Sequence, residues 1–488
     1  MHIRERLYID GKWVQPTGTG SIDVINPATE EIIGKIPVGS EKDIDKAASA
    51  ARIAFESWSK SSIETRMEIL NALSNTIKER GEDIAQTITS EVGTPIGYSR
   101  VAMVGTPRVV SRSYAKILES FDWEEKVRNS IICKEPIGVC AFITPWNFPL
   151  HQIIGKVAPA IAAGCTMILK PSKEAPLSAF ILADILHEIG LPPGVFNLVS
   201  GHGSEIGNYM SSHPEVDMVS FTGSTGAGVA VSEAAAATVK RVTLELGGKS
   251  ANVALNDADP VLVAKKAIGA CHQNSGQTCS ALTRLIIPKS MSEEVYKIIA
   301  EKNDTYSVGD PLDENTRCGP MVSLRQQKSV TKYIESGINE GATLISGGLG
   351  KPDGIIKGYY VKPTVFADVT PEMKIWKEEI FGPVLVITTY DDEDEAIMLA
   401  NDSVYGLSGG VWSKDEERAI RFAKLMRTGQ VSVNGGAFNI SAPFGGYKHS
   451  GNGRELGTHG LDEFLEIKSI QLYHMIRLFS KPFRRFSI

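Results

Sequence analysis

From Val139 onward the chain alternates short apolar runs with longer segments of helical periodicity. The runs Val139-Cys140-Ala141-Phe142-Ile143, Cys165-Thr166-Met167-Ile168-Leu169, Phe196-Asn197-Leu198-Val199 and Met218-Val219-Ser220-Phe221 are too short for helices and lack the polar alternation of half-exposed strands. They read as strands buried on both faces. Helical candidates at 152–163 and 179–189 lie between them, so the pattern is β-α-β and the sheet is parallel and doubly wound. A second alternation, with strands at 251–255, 282–287, 384–388 and 431–433, predicts a second α/β domain. Ahead of both, Leu7 to Val14 reads as a hairpin around Asp10-Gly11. Ser40-x-x-Asp43 is a capping box for a helix whose apolar stripe is Ile44, Ala47, Ala48, Ala51 and Phe55, and a second helix runs from about 64 to 80 and stops at Gly81.

Composition narrows the class. The chain has 488 residues, 42% apolar and 22% charged, with a formal net charge of -6. That length calls for two or three packed units, and the acidic balance gives no support for nucleic-acid binding. The six cysteines, Cys133, Cys140, Cys165, Cys271, Cys279 and Cys318, have neither disulfide-framework nor zinc-ligand spacing. No metal site is expected. The N-terminus lacks a secretory apolar core, and the most apolar stretch, 157–169, is interrupted by Pro159 and Gly164 and falls short of the ~20 residues a membrane span needs. A cytoplasmic protein without membrane contact is the expectation. The tail carries Lys481, Arg484 and Arg485 among Phe479, Phe483 and Phe486; packing on a neighbouring subunit or its own domain is the simpler reading.

Ligands of a doubly wound sheet bind where strands end, and the polar motifs fall there. Pro145-Trp146-Asn147-Phe148-Pro149 follows the first run, Lys170 the second, and Gly223-Ser224-Thr225-Gly226-Ala227-Gly228 the fourth. The glycine-rich turn opens an alanine-rich helix and suits a pyrophosphate, although its spacing is not GxGxxG and such turns are often structural. Glu245 ends an apolar strand before Gly247-Gly248, where a carboxylate is either ion-paired or kept for proton transfer. Asn147, in a rigid turn, can present its amide to an oxyanion or satisfy its own turn. Gly276-Gln277-Thr278-Cys279 sets a thiol in a small polar turn; a lone buried thiol is more often packing than nucleophile. Asn147 lies in the first unit and Cys279 in the second, so a site using both must form between them.

Together these motifs resemble the aldehyde dehydrogenase superfamily over nearly the whole chain, with Lys170-Pro171-Ser172, Glu379-Ile380-Phe381-Gly382-Pro383 and Pro443-Phe444-Gly445-Gly446 adding to the match. The separation of Glu245 and Cys279 (279 − 245 = 34 positions) is also that of the family. The resemblance implies a Rossmann-type cofactor domain at 1–120 and 136–247, a catalytic domain at 248–467, and a small β oligomerisation element with the C-terminal tail at 121–135 and 468–488. It implies that Cys279 attacks an aldehyde, that Asn147 and the Cys279 N–H hold the oxyanion, that Glu245 activates water for thioester hydrolysis, and that Lys156 and Glu455 relay protons. A thiol needs a base or an electropositive setting to raise its thiolate fraction, and Glu245 can serve as that base. The resemblance assigns Thr144, Trp146, Lys170, Ser172, Lys173, Gly203, Gly207, Phe221, Gly223, Ser224, Leu246, Gly247, Glu379 and Phe381 to the cofactor, NAD+ or alternatively NADP+. A homodimer or homotetramer is expected.

Two positions depart from common patterns of the family. Many NAD-using members carry glutamate three residues after the lysine, whereas this chain has Lys173 and then Glu174, a reversal that accommodates a 2′-phosphate unless Glu174 takes the ribose. Gly155 stands where semialdehyde-specific relatives can place an arginine, so an uncharged aliphatic or aromatic aldehyde is favoured, with Phe148 and Phe438 as channel or core residues. A CoA-acylating dehydrogenase and a non-catalytic structural protein on the same scaffold are the alternatives. Glu245 speaks against the first, and intact Cys279, Asn147 and Glu245 against the second.

Overall fold

The computed structural model describes residues 1–473, so the basic aromatic tail around Lys481, Arg484 and Arg485 lies outside the described residues. The first alternation builds an eight-stranded sheet in the order Gly451–Asn452, Arg241–Glu245, Met218–Thr222, Val139–Ile143, Thr166–Lys170, Phe196–Leu198, Leu7–Ile9 and Lys12–Val14. Its five central strands run parallel. The Asp-Gly hairpin forms one antiparallel edge and Gly451–Asn452 the other. Along Val139–Ile143, Cys140 and Phe142 enter one core while Val139, Ala141 and Ile143 enter the core on the opposite face. Both faces are covered, which is why no position in that run is polar. Helices Pro149–Ala163 and Leu177–Glu188 pack on the first face, and Glu41–Trp58 and Thr225–Ala236 on the second. Each fully buried aliphatic or aromatic side chain contributes ~1.5–3 kcal/mol relative to exposure.

The second alternation builds a seven-stranded sheet ordered Thr343–Ser346, Thr364–Ala367, Val384–Tyr390, Arg284–Pro288, Ala251–Ala254, Ser408–Trp412 and Gln430–Val433. It is parallel except at the Thr343–Ser346 edge. Glu124–Val127, Ser130–Pro136 and Leu465–Gln471 form a separate antiparallel sheet that exposes Val127, Ile467 and Ile470. The hydrophobic pattern does not announce a further three-stranded sheet of His2–Ile3, Ser21–Ile25 and Ile32–Pro37, or the helices Gly81–Val92 and Thr106–Leu118. Gly81 does follow the end of helix Ile63–Glu79, but it also opens the next helix. The capping box is present: the Ser40 N–H donates to Asp43 Oδ2 at 3.0 Å. Among the described residues no helix is long and apolar enough to cross a membrane, and no group of three or more His, Cys, Asp and Glu side chains is placed to hold a metal ion.

Register decides where the polar motifs meet. Ile143 pairs with both Lys170 and Phe221, and Thr222 pairs with Glu245, so the carboxyl ends of these strands are level. From Glu245 the chain crosses Leu246-Gly247-Gly248-Lys249-Ser250 and enters the second sheet at Ala251, the start of its strand. The carboxyl rim of one sheet thereby faces the amino rim of the other.

Candidate active site

Cys279 sits at the amino rim of the second sheet, five residues before strand Arg284–Pro288, and is half-buried. The loop that presents it is wound against its preference: Asn274, Ser275 and Gly276 all have left-handed backbones, with φ of 51°, 56° and 73°. Two non-glycine residues in that region cost roughly 1–2 kcal/mol each, so other contacts must hold them. Thr94 Oγ1 donates to Asn274 Oδ1 at 2.7 Å, Ser275 Oγ donates to the Gly319 carbonyl at 3.0 Å, and the Val322 N–H donates to Gln277 Oε1 at 2.9 Å. Gly276 admits no side chain, because a Cβ there would lie 2.1 Å from the carbonyl carbon of Gly382.

Asn147 reaches this loop from the first sheet. Its buried Nδ2 donates to the Gln277 carbonyl at 3.1 Å, two residues before Cys279. An amide NH2 has two hydrogens, so one orients the group and the other remains for a ligand oxygen.

Glu245 closes the third side. The Glu245–Gly248 turn presses on the Cys279 loop so closely that a Cβ at Gly248 would lie 2.6 Å from the Cys279 carbonyl oxygen. Among the described residues, both carboxylate oxygens of Glu245 are buried without a hydrogen-bond partner. Burial, and then the charge of Glu455, hold this carboxyl well above the ordinary range. Glu455 forms an ion pair with Lys156, whose ammonium is buried on helix Pro149–Ala163. Gly155 is where Glu455 packs: a Cβ at that position would lie 3.3 Å from Glu455 Oε2.

An electropositive setting around the thiol is not found. Burial, followed by the charges of Glu379 and Glu245, pushes Cys279 up to about 12. With Glu245 also raised, burial disfavours the charged form of both groups.

The nucleotide candidates line the same cleft. Glu379 accepts from the Gly248 N–H at 3.0 Å, and burial pushes its carboxyl up to about 7. A Cβ at Gly247 would collide with it at 2.1 Å. Phe381, at φ 56°, meets Trp146 edge to face with centroids 5.4 Å apart. Lys170 ends its strand with a buried ammonium that donates to the Pro171 carbonyl at 2.9 Å; burial, and then Lys173, push it down to about 8. Cβ positions at Gly203 and Gly207 face the Lys170 side chain, at 3.8 and 3.9 Å. Thr144 Oγ1 is buried and, among the described residues, unpartnered. Ser172 Oγ accepts from the Glu174 N–H at 3.2 Å, Lys173 is exposed, and Glu174 is half-buried. Ser224 caps helix Thr225–Ala236, accepting from the Ala227 N–H at 3.4 Å. Phe221 closes on Gly223 and Leu246 on Gly228.

Phe148 packs at the margin of the main core, with Tyr98 at 6.3 Å, whereas Phe438 is half-exposed against Phe444 at 6.0 Å. Sequence reasoning missed Asn274 and Thr94, and gave Gln277, part of the thiol motif, no role in holding the loop. The turn-forming run Asn274-Ser275-Gly276 was the available signal for its left-handed backbone.

Comparison with known proteins places this geometry. Residues 13–470 match the model of the aldehyde dehydrogenase family. The chain is 50% identical over 470 residues to a 3-succinoylsemialdehyde-pyridine dehydrogenase of a Pseudomonas species, covering 96% of this chain and 98% of that protein. It superposes with TM-score 0.95 and 48% identity on a cysteine-to-alanine mutant of Pseudomonas syringae aldehyde dehydrogenase C in complex with NAD+ and octanal, covering 96% of each chain. A Mycobacterium tuberculosis aldehyde dehydrogenase complexed with NAD+ aligns with TM-score 0.94 at 40% identity, covering 97% of this chain and 99% of that one. With its thiol, amide and carboxyl gathered between two α/β sheets in a fold shared with these enzymes, the chain belongs to the aldehyde dehydrogenase family.

Proposed function

We propose that the protein oxidises an uncharged aliphatic or aromatic aldehyde to its carboxylic acid, with NAD+ as the cofactor. The observation that carries this reading is the Asn147 amide held 3.1 Å from the Gln277 carbonyl, beside the only cysteine of the described residues that is not buried. Cys279 Sγ gives its proton to the ionised Glu245 carboxylate, which passes it on toward Lys156 and Glu455, and adds to the aldehyde carbon to form a thiohemiacetal. The free hydrogen of Asn147 Nδ2 and the Cys279 N–H stabilise its oxygen; such a donor is worth roughly 10²- to 10³-fold in rate. When bound, NAD+ supplies the hydride acceptor and a positive charge. Glu245, with both oxygens unpartnered, then takes a proton from the water that cleaves the thioester. Lys156 and Glu455 pass that proton outward.

Several features support a dinucleotide in this cleft. Glu379, with one hydrogen bond to the chain, suits a ribose hydroxyl; Thr144 Oγ1, Lys170, Ser172 and the helix start at Ser224 offer hydroxyls, charge and N–H groups. Trp146, Gly203, Gly207, Phe221, Gly223, Leu246, Gly247 and Phe381 shape the walls. The cofactor unit comprises 1–120 and 136–247, the catalytic unit 248–467, and the exposed apolar edge of Leu465–Gln471 serves a homodimer or homotetramer in the cytoplasm. The relative solved in complex with octanal supports an aliphatic aldehyde, and the one named a 3-succinoylsemialdehyde-pyridine dehydrogenase supports one that carries an aromatic ring.

A panel of aldehydes read by cofactor absorbance, with NAD+ or NADP+ and with or without CoA, tests this reading. Turnover of octanal and an aromatic aldehyde with NAD+ and no CoA is expected. Strict dependence on CoA, or no reduction with any aldehyde, would reject it.

A further inference from the structure

On the second-sheet side of the Glu245–Ser250 connection lies a cavity separate from the proposed aldehyde site. It has a volume of about 20 Å³, and its lining includes Lys249, Ser250, Arg284, Arg427, Thr428 and Lys448. Four of these are cations, and among the described residues no carboxylate lines it.

Two of the cations are already hydrogen-bonded. Arg284 donates to the carbonyls of Lys249 at 2.8 Å and of Leu399, Ala400 and Asp402 at 3.0 Å each. Lys448 donates to the carbonyls of Asn401 at 3.1 Å and Ser403 at 2.9 Å. Carbonyls satisfy donors without cancelling their charge. Lys249 is different: among the described residues its Nζ is buried with no partner, and burial pushes it down to about 7; the Ser250 and Thr428 hydroxyls are also buried and unpartnered, and all three residues line the cavity. Buried polar groups are nearly always paired, and an uncompensated buried ammonium costs several kcal/mol. Lys249, Ser250 and Thr428 line one space together with Arg427 and Lys448, a lining that favours a negative ligand.

We propose that this cavity binds a small inorganic anion, held by Lys249 Nζ and the Ser250 and Thr428 hydroxyls and attracted by Arg427 and Lys448. Such an anion braces the turn beside it. Gly248, next to Lys249, holds Glu379 through its N–H and abuts the Cys279 carbonyl.

Two measurements on the full chain test the site. Crystals free of phosphate and sulfate are soaked in bromide, and a second set in sulfate. Anomalous density within hydrogen-bond reach of Lys249 Nζ is expected, and the set that shows it separates a halide from an oxyanion. Density confined to the outer side of Arg427, an adventitious ion only, or a cavity holding water alone in both soaks would overturn the proposal. In parallel, calorimetry at constant ionic strength follows Tm as inorganic phosphate or chloride is added. A rise of about 3 °C at saturation is expected, reduced in Lys249→Met and in Arg427→Gln, the latter at an exposed position. An undiminished rise in both variants would equally overturn it.

Discussion

Asn274 donates its side-chain amide to the main-chain carbonyl of Asn147 at 2.9 Å, tying the Cys279 loop to the Asn147 turn across 127 positions of sequence. Asn147 returns a bond to the Gln277 carbonyl, so the two loops are stitched from both sides. Asn274→Ala should therefore lower kcat/KM by roughly 10²-fold, the scale of a misplacement of about 1 Å. It should also lower Tm, because alanine tolerates the left-handed backbone less well. Steady-state kinetics and calorimetry check this; a change in KM for the aldehyde alone would contradict it.

The state of the thiol is open to direct titration. With Cys279 pushed up to about 12, its alkylation by iodoacetamide in cofactor-free protein should keep rising with pH and show no plateau below about pH 10. Glu245→Gln removes a nearby negative charge and should move the profile toward lower pH. Peptide mass spectrometry distinguishes Cys279 from the buried thiols. A plateau near neutral pH would mean that the resting enzyme already holds a thiolate.

Gly248→Ala places a methyl 2.6 Å from the Cys279 carbonyl oxygen, a backbone atom that cannot swing aside. Activity should fall about 100-fold or more while circular dichroism stays close to that of the parent. Normal turnover would show that the loop yields freely.

Cofactor choice turns on Lys173, which is exposed beside the half-buried Glu174. If Lys173 accommodates a 2′-phosphate, Lys173→Glu should raise KM for NADP+ about 10-fold and leave NAD+ kinetics nearly unchanged. An unaltered ratio of kcat/KM values would assign the ribose end to other residues.

Glu91 carries a stability prediction. Buried, and accepting from the Leu177 and Ser178 N–H groups at 2.7 and 3.2 Å, it is pushed from 4.5 up to about 7 by burial. The neutral form is the one the fold favours. Its contribution is complete below the unfolded value near 4.5 and is lost as pH rises through 7. Glu91→Gln should gain on the parent by up to ~3 kcal/mol across that window, read from denaturant unfolding at pH 5 and pH 8. A difference independent of pH would show an unshifted carboxyl.

The positions of Lys170, Glu245 and the Asn147 turn were legible in sequence because strand ends carry their own punctuation: an apolar run stops where a lysine, a glycine pair or a proline begins. Cys279 and Glu245 were legible as motifs. Their protonation was not, since it depends on burial and on carboxylates supplied by segments far apart in the chain. Asn274 was hidden for a related reason: its partners Thr94 and Asn147 come close only after both sheets have formed. Lys249 resembles any solvated lysine until its burial is seen.

The five residues from Leu246 to Ser250 also limit how the protein can be divided. A protease nick, fission point or recombination crossover there would leave Glu245 on one fragment and Cys279 on the other. Neither fragment alone would contain a reaction centre. Inheritance of this activity is thus indivisible at the one place where the two sheets are joined by the shortest stretch of chain.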